Sequence, residues 1–404
     1  MRFSVLATCP ATGARAGLLE TPHGPIPTPA FMPVGTQATV KGLDPDELRG
    51  AGAACVLANT YHLALRPGAD TVARLGGLHR FMGWDGPMLT DSGGFQVWSL
   101  APLRELTADG VRFRSHLDET PVEFTPASVV ALQEALGADL IMPLDVCLDY
   151  PASAAEAADA LATTHAWQLR ALAARRTETQ ALFGIVQGST YPELRREAAR
   201  ALAALDLPGY AIGGLSVGEP KATTAAAIAA VVAALPPSRP RYLMGVGAPE
   251  DLLMAVGLGV DLFDCTLPTR MARAGGLLSP AGRLNIRNAR FRAEPGPPVA
   301  ECACATCARY SAATLHWLFQ EDHALGGRLA SYHNVQFLCG LMRGAREAIL
   351  SCEFVAYRDA FLAAWAPSDP TIGREQRARW RTAQERRRQA LGKAGQEERS
   401  GSHL

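Results

Sequence analysis

Residues 140–176 have the sequence LIMPLDVCLDYPASAAEAADALATTHAWQLRALAARR. The apolar run at residues 140–144 ends at Asp145, and an alanine-rich segment with helical periodicity extends over residues 151–176. A short apolar run followed by a helix is typical of one β/α unit in a parallel sheet. The stretch therefore predicts a buried strand with a carboxylate at its carboxyl end, followed by a helix that covers the sheet.

The same arrangement recurs along the chain. Seven other short apolar runs, each followed by a longer helical pattern, lie at residues 30–34, 55–58, 87–90, 182–186, 210–212, 242–246 and 260–263. Together the units predict an α/β fold, namely a (β/α)8 TIM barrel. A doubly wound open sheet is the main alternative.

Polar residues and glycines follow these runs, at the end where a barrel has its active site. They include Asn59, Asp91, Ser92, Asp145, Gln187, Gly213, Gly214, Gly245 and Asp264. A single aspartate after a strand is more often a helix N-cap or a salt-bridge partner. Several carboxylates and amides at one end of a barrel are costly to bury, so the set favours an active site. Asp91 and Asp264 facing one cavity indicate acid–base chemistry with a covalent intermediate, as in glycosyl transfer.

A cluster of cysteines follows a proline- and glycine-rich segment. The predicted metal ligands are Cys302, Cys304, Cys307 and His333. His316 and His323 are alternatives for the fourth ligand, and a set of unpaired cysteines is the alternative to a metal site. Three thiolates and one imidazole fill a tetrahedral zinc ion, so the metal is predicted to stabilise structure and not to activate water.

These patterns divide the chain into three parts. Residues 1–290 are expected to form the barrel, the catalytic domain, together with N-terminal strands. Residues 291–368 are expected to form a zinc-binding and helical subdomain packed on the barrel. Residues 369–404 form an arginine-rich tail, helical or disordered, for which a solvated helix is the favoured interpretation.

Charge and cysteine content restrict the function further. The 404 residues include 39 Lys+Arg and 39 Asp+Glu, so contact with RNA requires a local basic patch. Apolar runs are too short for a signal peptide or a membrane span. Nine cysteines, three of them in the cluster, favour a reducing compartment. We therefore expect a cytoplasmic protein with no membrane partner.

Several local motifs are specific enough to indicate a family. They are NTYHL at residues 59–63 with RPG at 66–68, DSGGFQV at 91–97, GIVQG at 184–188, GGLSVGE at 213–219, YLMGVG at 242–247, FDC at 263–265 with PTR at 268–270, and the predicted zinc ligands. In these motifs the chain resembles the bacterial-type tRNA-guanine transglycosylases, or queuine tRNA-ribosyltransferases. The resemblance covers residues 1 to about 368.

The resemblance implies a pentosyltransferase of queuosine biosynthesis. It would exchange the guanine at the wobble position of the tRNA anticodon for preQ1 (7-aminomethyl-7-deazaguanine) without breaking the RNA strand. Asp264 matches the family nucleophile, which forms a covalent ribosyl-aspartate, and Asp91 matches the general acid/base. One structural zinc ion per chain and a homodimer are implied as well.

The resemblance also implies residues that contact the substrates. Those expected around the base are Asn59, Ser92, Phe95, Asp145, Cys147, Gln187, Gly214, Leu215, Met244 and Gly245. Asp145 and Gln187 would read the edge of the base by hydrogen bonds, once the base has left its stack. Arg270 and Arg273 match residues that contact the anticodon loop.

Three positions depart from the family pattern, and other functions stay open. Phe95 stands where tyrosine is common, Val146 where bacterial members have glutamate, and Ala274 where asparagine often follows the second loop arginine. Cys147 and Val217 match the bacterial pattern, which favours preQ1, with salvage of queuine as the alternative. A non-catalytic tRNA-binding homologue, a glycosidase of free sugars and a zinc hydrolase or deaminase are weaker alternatives, because both aspartates and a filled metal site are present.

Overall fold

Seventeen strands are defined in the part of the chain that the computed structural model describes, residues 1–100, 104–366 and 382. They are β1 (Arg2–Thr8), β2 (Arg15–Thr21), β3 (Gly24–Thr28), β4 (Ala30–Gly35), β5 (Val56–Asn59), β6 (Met88–Asp91), β7 (Glu105–Leu106), β8 (Val111–Arg114), β9 (Pro121–Phe124), β10 (Leu140–Ile141), β11 (Ala181–Leu182), β12 (Gly184–Val186), β13 (Tyr210–Ile212), β14 (Arg241–Leu243), β15 (Leu262–Cys265), β16 (Gly276–Ser279) and β17 (Gly282–Asn285).

Helices connect the strands and form the C-terminal part. They are α1 (Pro45–Gly50), α2 (Thr60–Leu65), α3 (Ala69–Arg74), α4 (Gly77–Met82), α5 (Gly94–Leu100), α6 (Pro126–Leu136), α7 (Ala154–Ala174), α8 (Pro192–Ala203), α9 (Lys221–Val232), α10 (Pro249–Gly257), α11 (Leu267–Arg273), a 3-10 turn at Ala289–Phe291, α12 (Ala305–Arg309), α13 (Ala312–Gln320), α14 (Ala324–Leu350) and α15 (Phe354–Ala364). Within the described ranges no helix combines the length and the apolarity that a bilayer span requires.

The central sheet is parallel and closes on itself. Its order is β11-β10-β6-β5-β4-β15-β14-β13-β12. Only Phe183 separates β11 from β12, and β11 pairs with β10 while β12 pairs with β13. The two segments therefore act as one strand that completes an eight-stranded barrel. The predicted TIM barrel is confirmed, each predicted apolar run contains a strand, and the open doubly wound sheet is ruled out.

Both faces of the barrel sheet are buried. Leu140 and Leu262 belong to the apolar cluster that fills the barrel. Their neighbours Ile141 and Phe263 belong to a second cluster, between the strands and the helices. Since successive side chains of a strand point to opposite faces, two apolar environments produce the continuous apolar runs seen in the sequence.

The antiparallel sheet β1-β2-β3 covers the amino ends of the barrel strands. Leu19 and Ile26 of this sheet join the cluster inside the barrel. Arg15 forms a buried ion pair with Asp261, with Nε 2.9 Å from Oδ1, and Asp261 precedes β15. The amino end of the barrel is thus closed by packing, which leaves the carboxyl end for the polar residues.

The C-terminal part is joined to the barrel by α14. This helix packs on α11, β4 and β16, and its buried Asn334 accepts from Leu278 N–H (2.8 Å) and donates to Pro268 O (3.0 Å). An antiparallel hairpin, β16–β17, follows α11. A single apolar cluster contains residues from both sides of the expected boundary at residue 290, so that division stays a prediction. Apart from Thr382, the predicted basic tail at 369–404 lies outside the described residues.

Candidate active site

Asp264 lies in β15, at the carboxyl end of the barrel, and is buried. Its Oδ1 accepts hydrogen bonds from the Tyr242 hydroxyl (2.6 Å) and from Gly245 N–H (2.7 Å). Burial raises the pKa of Asp264, and the two hydrogen bonds act in the opposite direction. Both donors bind Oδ1, so Oδ2 is the oxygen that they leave available to a substrate.

Asp91 is the last residue of β6. Its Oδ2 accepts from Asn59 Nδ2 (2.5 Å) and its Oδ1 accepts from Thr60 N–H (3.0 Å). Burial raises the pKa of Asp91 to about 7; the hydrogen bond from Thr60 opposes this rise, and the charge of Asp264 adds to it. A carboxyl group with a pKa near neutrality can both donate and accept a proton under ordinary conditions.

The two aspartates belong to one site. Only β5 and β4 separate β6 from β15 in the barrel sheet, and the charge of Asp264 affects the pKa of Asp91. Each aspartate accepts two hydrogen bonds and has a raised pKa, but the pKa of Asp91 reaches about 7, and the charge of Asp264 adds to its rise. Two carboxyl groups with such different environments are suited to separate roles, one as a nucleophile and one as an acid and base.

Asp145 and Gln187 form the polar centre of a neighbouring part of the site. Gln187 Nε2 donates to Asp145 Oδ2 over 2.7 Å, and Cys147 Sγ lies 3.7 Å from the same oxygen. Both Asp145 and Gln187 are buried. Burial raises the pKa of Asp145, and the hydrogen bonds from Gln187 and Cys147 lower it. The pair offers a carboxylate acceptor and an amide to a planar ligand.

Two glycines let the backbone approach these polar groups. A Cβ atom at Gly94 would lie 2.7 Å from Asp145 Oδ1. At Gly214, where φ is +65°, a Cβ atom would lie 2.3 Å from Gln187 Oε1. Neither separation is sterically possible, so side chains at these two positions would displace Asp145 or Gln187.

Glu219 organises the loop that follows β13. Its Oε1 accepts from Ser216 N–H (2.6 Å) and the Thr224 hydroxyl (2.7 Å), and its Oε2 accepts from Val217 N–H (3.0 Å) and Gly218 N–H (3.1 Å). Three successive N–H groups converging on one carboxylate fix the loop backbone. This loop contains Gly214, so its position determines the shape of the site next to Gln187.

The other residues expected around a base differ in exposure. Ser92 and Leu215 are buried, and Ser92 Oγ accepts from Gly94 N–H (3.3 Å). Met244 and Cys147 are half-buried. Phe95 is 50% exposed and contacts Trp98, with ring centroids 5.2 Å apart. The exposed ring of Phe95 is therefore available to a ligand that enters from solvent.

Arg270 and Arg273 lie one turn apart in α11, directly after the strand that carries Asp264. Both are exposed, and Arg273 Nη1 donates to Thr269 O (3.0 Å). Burial lowers the pKa of Arg273, and the charge of Arg270 adds to that effect. The two side chains place positive charge beside the candidate nucleophile, despite the neutral net charge of the chain.

Cys302, Cys304, Cys307 and His333 converge in the C-terminal part. The sulfur atoms lie 3.6, 3.4 and 3.4 Å from His333 Nδ1, and His333 Nε2 donates to Leu278 O (2.7 Å), which orients Nδ1 toward the sulfurs. His316 instead bonds Ile286 O (2.8 Å), so it is not the fourth ligand. The predicted ligand set is therefore brought together, and it can hold a metal ion.

Comparisons with known proteins agree with this geometry. The sequence profile of the family described as queuine tRNA-ribosyltransferase matches residues 9–367. The chain belongs to this family of tRNA-guanine pentosyltransferases. It is 54% identical to the queuine tRNA-ribosyltransferase of Herpetosiphon aurantiacus over 86% of this chain and 89% of the relative. It is 53% identical to the enzyme of that name from Desulforudis audaxviator, over 90% of this chain and 98% of the relative. It is 50% identical to that of Symbiobacterium thermophilum, over 94% of each chain.

Membership of the queuine tRNA-ribosyltransferase family confirms the resemblance found in the motifs. It rules out the glycosidase of free sugars and the zinc hydrolase as interpretations of the whole chain. Two of the three departures from the family pattern differ in exposure. Val146 follows Asp145 in the sequence and is buried, and its N–H donates to the Thr164 hydroxyl (3.0 Å), whereas Phe95 is 50% exposed.

The sequence motifs did not indicate two interactions that support the site. The Tyr242 hydroxyl donates to Asp264 Oδ1 (2.6 Å). Arg195 was not singled out; it is completely buried and its Nη2 donates to Gly213 O (2.9 Å). Burial lowers its pKa to about 9, with Glu219 opposing that change. A charged residue within the apolar periodicity of α8 was the available signal for Arg195.

Proposed function

We propose that this chain exchanges the guanine at the wobble position of tRNA for preQ1 through a covalent ribosyl-aspartate. The observation that supports this most directly is the pairing of Asp264, whose anion is stabilised by two donors, with Asp91, whose pKa is about 7. A glycosyl exchange with retention needs one carboxylate to form a bond and one to transfer a proton.

In the first step, Asp264 Oδ2 bonds to C1′ of the ribose. The bond from C1′ to the guanine nitrogen breaks, its electron pair goes to the base, and Asp91 supplies the proton that neutralises the departing guanine. Tyr242 and Gly245 remain on Oδ1, where they hold the carboxylate in one orientation. The RNA strand stays intact because no phosphodiester bond is involved.

In the second step, the 7-deazaguanine loses a proton to Asp91 and its nitrogen attacks C1′. The bond between C1′ and Asp264 breaks, and its electrons return to the carboxylate. Two displacements at one carbon retain its configuration. Asp91 and Asp264 end in their starting protonation states, so the exchange needs no nucleotide energy source.

The base would be read by the groups around Asp145. Its carboxylate accepts from the ring N–H and amino groups of a guanine-like edge, and Gln187 donates to the carbonyl oxygen. In the unliganded geometry Gln187 Nε2 donates to Asp145 Oδ2, which keeps both side chains oriented. The backbone of Gly214 and Leu215 completes the contact, with Ser92 and Asn59 orienting nearby polar groups.

The tRNA would bind with the target base outside its stack, since a base within a stacked loop cannot reach a buried carboxylate. The exposed side chains of Arg270 and Arg273 would contact the phosphates of the anticodon loop. Phe95 provides an exposed ring for stacking, which does not require the hydroxyl of the more common tyrosine.

Zinc is the metal that best suits three thiolates and one imidazole. Cys302, Cys304, Cys307 and His333 would hold one ion per chain, and all four coordination positions would belong to the protein. The metal would then stabilise the C-terminal part and take no part in base exchange. Thiolate ligands persist in a reducing compartment, so we infer that the enzyme acts in the cytoplasm.

An exchange assay tests the function and the substrate together. tRNA that contains radiolabelled guanine at the wobble position is incubated with the protein and with preQ1, queuine or unlabelled guanine. The loss of label from the tRNA is then measured. We expect loss with preQ1 and with guanine. Loss with queuine but not preQ1 would replace the proposed substrate, and no loss with any base would leave only a tRNA-binding protein.

A denaturing gel tests the intermediate. Wild-type protein should give a slowly migrating protein–RNA adduct, and Asp264→Ala should give none. Asp206→Asn, a substitution of an exposed aspartate, is the matched control and should keep the adduct. An adduct that persists in Asp264→Ala would show that another residue is the nucleophile.

A further inference from the structure

We propose that His23, His79 and Asp139 form a second metal site, selective for a divalent transition-metal ion. One ligand atom from each residue lies within 4.8 Å of the others. The three residues come from separate elements and take no part in the proposed base exchange. The site is independent of the cysteine cluster in the C-terminal part.

The three residues meet at the amino end of the barrel, opposite the candidate active site. Asp139 directly precedes β10, and its Oδ2 accepts from Met88 N–H (2.8 Å) at the start of β6. His23 lies in the turn between β2 and β3, and His79 lies in α4. An ion bound here would join the N-terminal sheet, a surface helix and the barrel.

The geometry leaves one buried nitrogen without a hydrogen bond. His23 Nδ1 is 2.8 Å from Asp139 Oδ1, a hydrogen bond. His79 Nε2 is 3.4 Å from Asp139 Oδ2, within ion-pair distance, but it is buried and makes no hydrogen bond within the described part of the chain. Ion pairs between Asp139 and the two histidines account for the clustering of the charged groups. They leave the His79 nitrogen buried without a hydrogen bond, which costs free energy.

The donor set determines which ions suit the site. Two imidazoles and one carboxylate are typical ligands of Zn²⁺, Ni²⁺, Co²⁺ and Cu²⁺, whereas Mg²⁺ and Ca²⁺ prefer oxygen ligands alone. Asp139 Oδ1 lies 2.8 Å from His23 Nδ1 and Oδ2 lies 3.4 Å from His79 Nε2, so the carboxylate can reach an ion held between the two rings. Three protein ligands leave a coordination position for water.

Binding requires a small movement of His23. The two imidazole rings stack with centroids 3.5 Å apart and planes 17° from parallel. Lone pairs of ring nitrogens point along the ring planes, so one ring must rotate to share an ion with the other. His23 is the ring able to do so, because its side chain is 40% exposed in a turn, whereas that of His79 is 14% exposed.

Calorimetric titration with Ni²⁺, combined with elemental analysis of the full-length protein, tests the site. Wild type should bind one Ni²⁺ beyond the metal it carries on purification, with a rise in Tm. His79→Ala and His23→Ala should each weaken that binding by at least ~10-fold, as loss of a metal-site group does. His165→Ala, in α7 outside both clusters, is the matched control and should bind as wild type does.

Two results would overturn the proposal. One is the absence of an additional ion in wild type, and the other is equal Ni²⁺ binding in wild type and both cluster variants. Since His23 lies in an exposed turn, its variant keeps the test decisive even if His79→Ala fails to fold. Base exchange measured on the same preparations should be unchanged in His23→Ala, which separates this site from the proposed function.

Discussion

At the scale of single residues, two aspartates acquire different chemistry from their neighbours. Asp264 accepts from a phenol and a backbone N–H on one oxygen, which stabilises its anion despite burial. Asp91 is buried close enough to Asp264 for the charge of that residue to raise its pKa further. These environments support the proposed roles, a nucleophile for Asp264 and a general acid and base for Asp91.

Replacing Tyr242 with phenylalanine should reduce kcat by about 10- to 100-fold, because a hydrogen bond to a charged group contributes about 1.5–3 kcal/mol. Loss of the donor should raise the pKa of Asp264, so the acidic limb of the pH–rate profile should move to higher pH. Tyr210→Phe is the matched control, since the Tyr210 hydroxyl is buried with no hydrogen-bond partner in the described residues. An unchanged profile in Tyr242→Phe would contradict this role.

The pH dependence of adduct formation should report Asp91. The first step needs a protonated Asp91. Because the pKa of Asp91 is raised to about 7, its carboxyl group is protonated below that pH and ionised above it. The rate of adduct formation should therefore fall about tenfold per pH unit above pH 7. Rapid mixing followed by denaturing gels measures this rate. Asp91→Asn should form the adduct slowly at every pH, with no fall in rate above pH 7. If the rate of this variant still fell above pH 7, the titration would belong to another group.

At the scale of elements, the loop after β13 depends on Glu219. Its carboxylate accepts three consecutive backbone N–H groups, and the buried Arg195 donates to the carbonyl of Gly213 at the start of the same loop. The loop is thus held from both sides by charged groups. Such rigidity would lower the entropy cost of the base binding proposed above.

Glu219→Gln should raise the KM for the 7-deazaguanine by roughly 10-fold and change kcat little, because an amide offers one acceptor oxygen where the carboxylate offers two. Steady-state kinetics at saturating tRNA separates the two constants. Glu193→Gln, at an exposed position of α8, is the control and should behave as wild type. A fall in kcat alone would show that the loop acts on the reaction and not on binding.

Elements and site were predictable from the sequence to different extents. The barrel strands could be predicted because burial on both faces gives continuous apolar runs, and Asp91, Asp145 and Asp264 follow directly from their places at strand ends. The link from Tyr242 to Asp264 depends on how β14 lies beside β15, which no local pattern encodes. The cluster of His23, His79 and Asp139 was missed because its members come from three distant segments.

At the scale of the whole molecule, α14 connects the cysteine cluster with the barrel. The helix carries His333 and packs on α11, and a Cβ atom added at Gly327 would lie 3.7 Å from Arg273 Cγ. The candidate metal ligands and the two arginines proposed to contact RNA therefore both lie on or against this helix. The homodimer stays a prediction, which a light-scattering measurement of the molar mass in solution can test.

Cys302→Ser should lose most of the approximately one zinc ion per chain and lower the Tm, because metal binding contributes free energy to folding of the ligand segment. Elemental analysis and thermal unfolding measure the two effects. Cys352→Ser, at an exposed cysteine outside the cluster, should change neither. If Cys302→Ser abolished exchange with Tm and tRNA affinity unchanged, the structural role of the metal would be wrong.

If the cluster holds zinc and the two arginines contact RNA as proposed, the contact between α14 and α11 would make tRNA binding sensitive to oxidation. Peroxide converts thiolates to sulfenic acids and disulfides, which no longer hold zinc. Release of the ion would free His333 and weaken the support of Arg273, so affinity for the anticodon loop would decline while both aspartates stayed chemically intact. The abundance of the modified nucleoside would then follow the redox state of three sulfur atoms remote from the ribose.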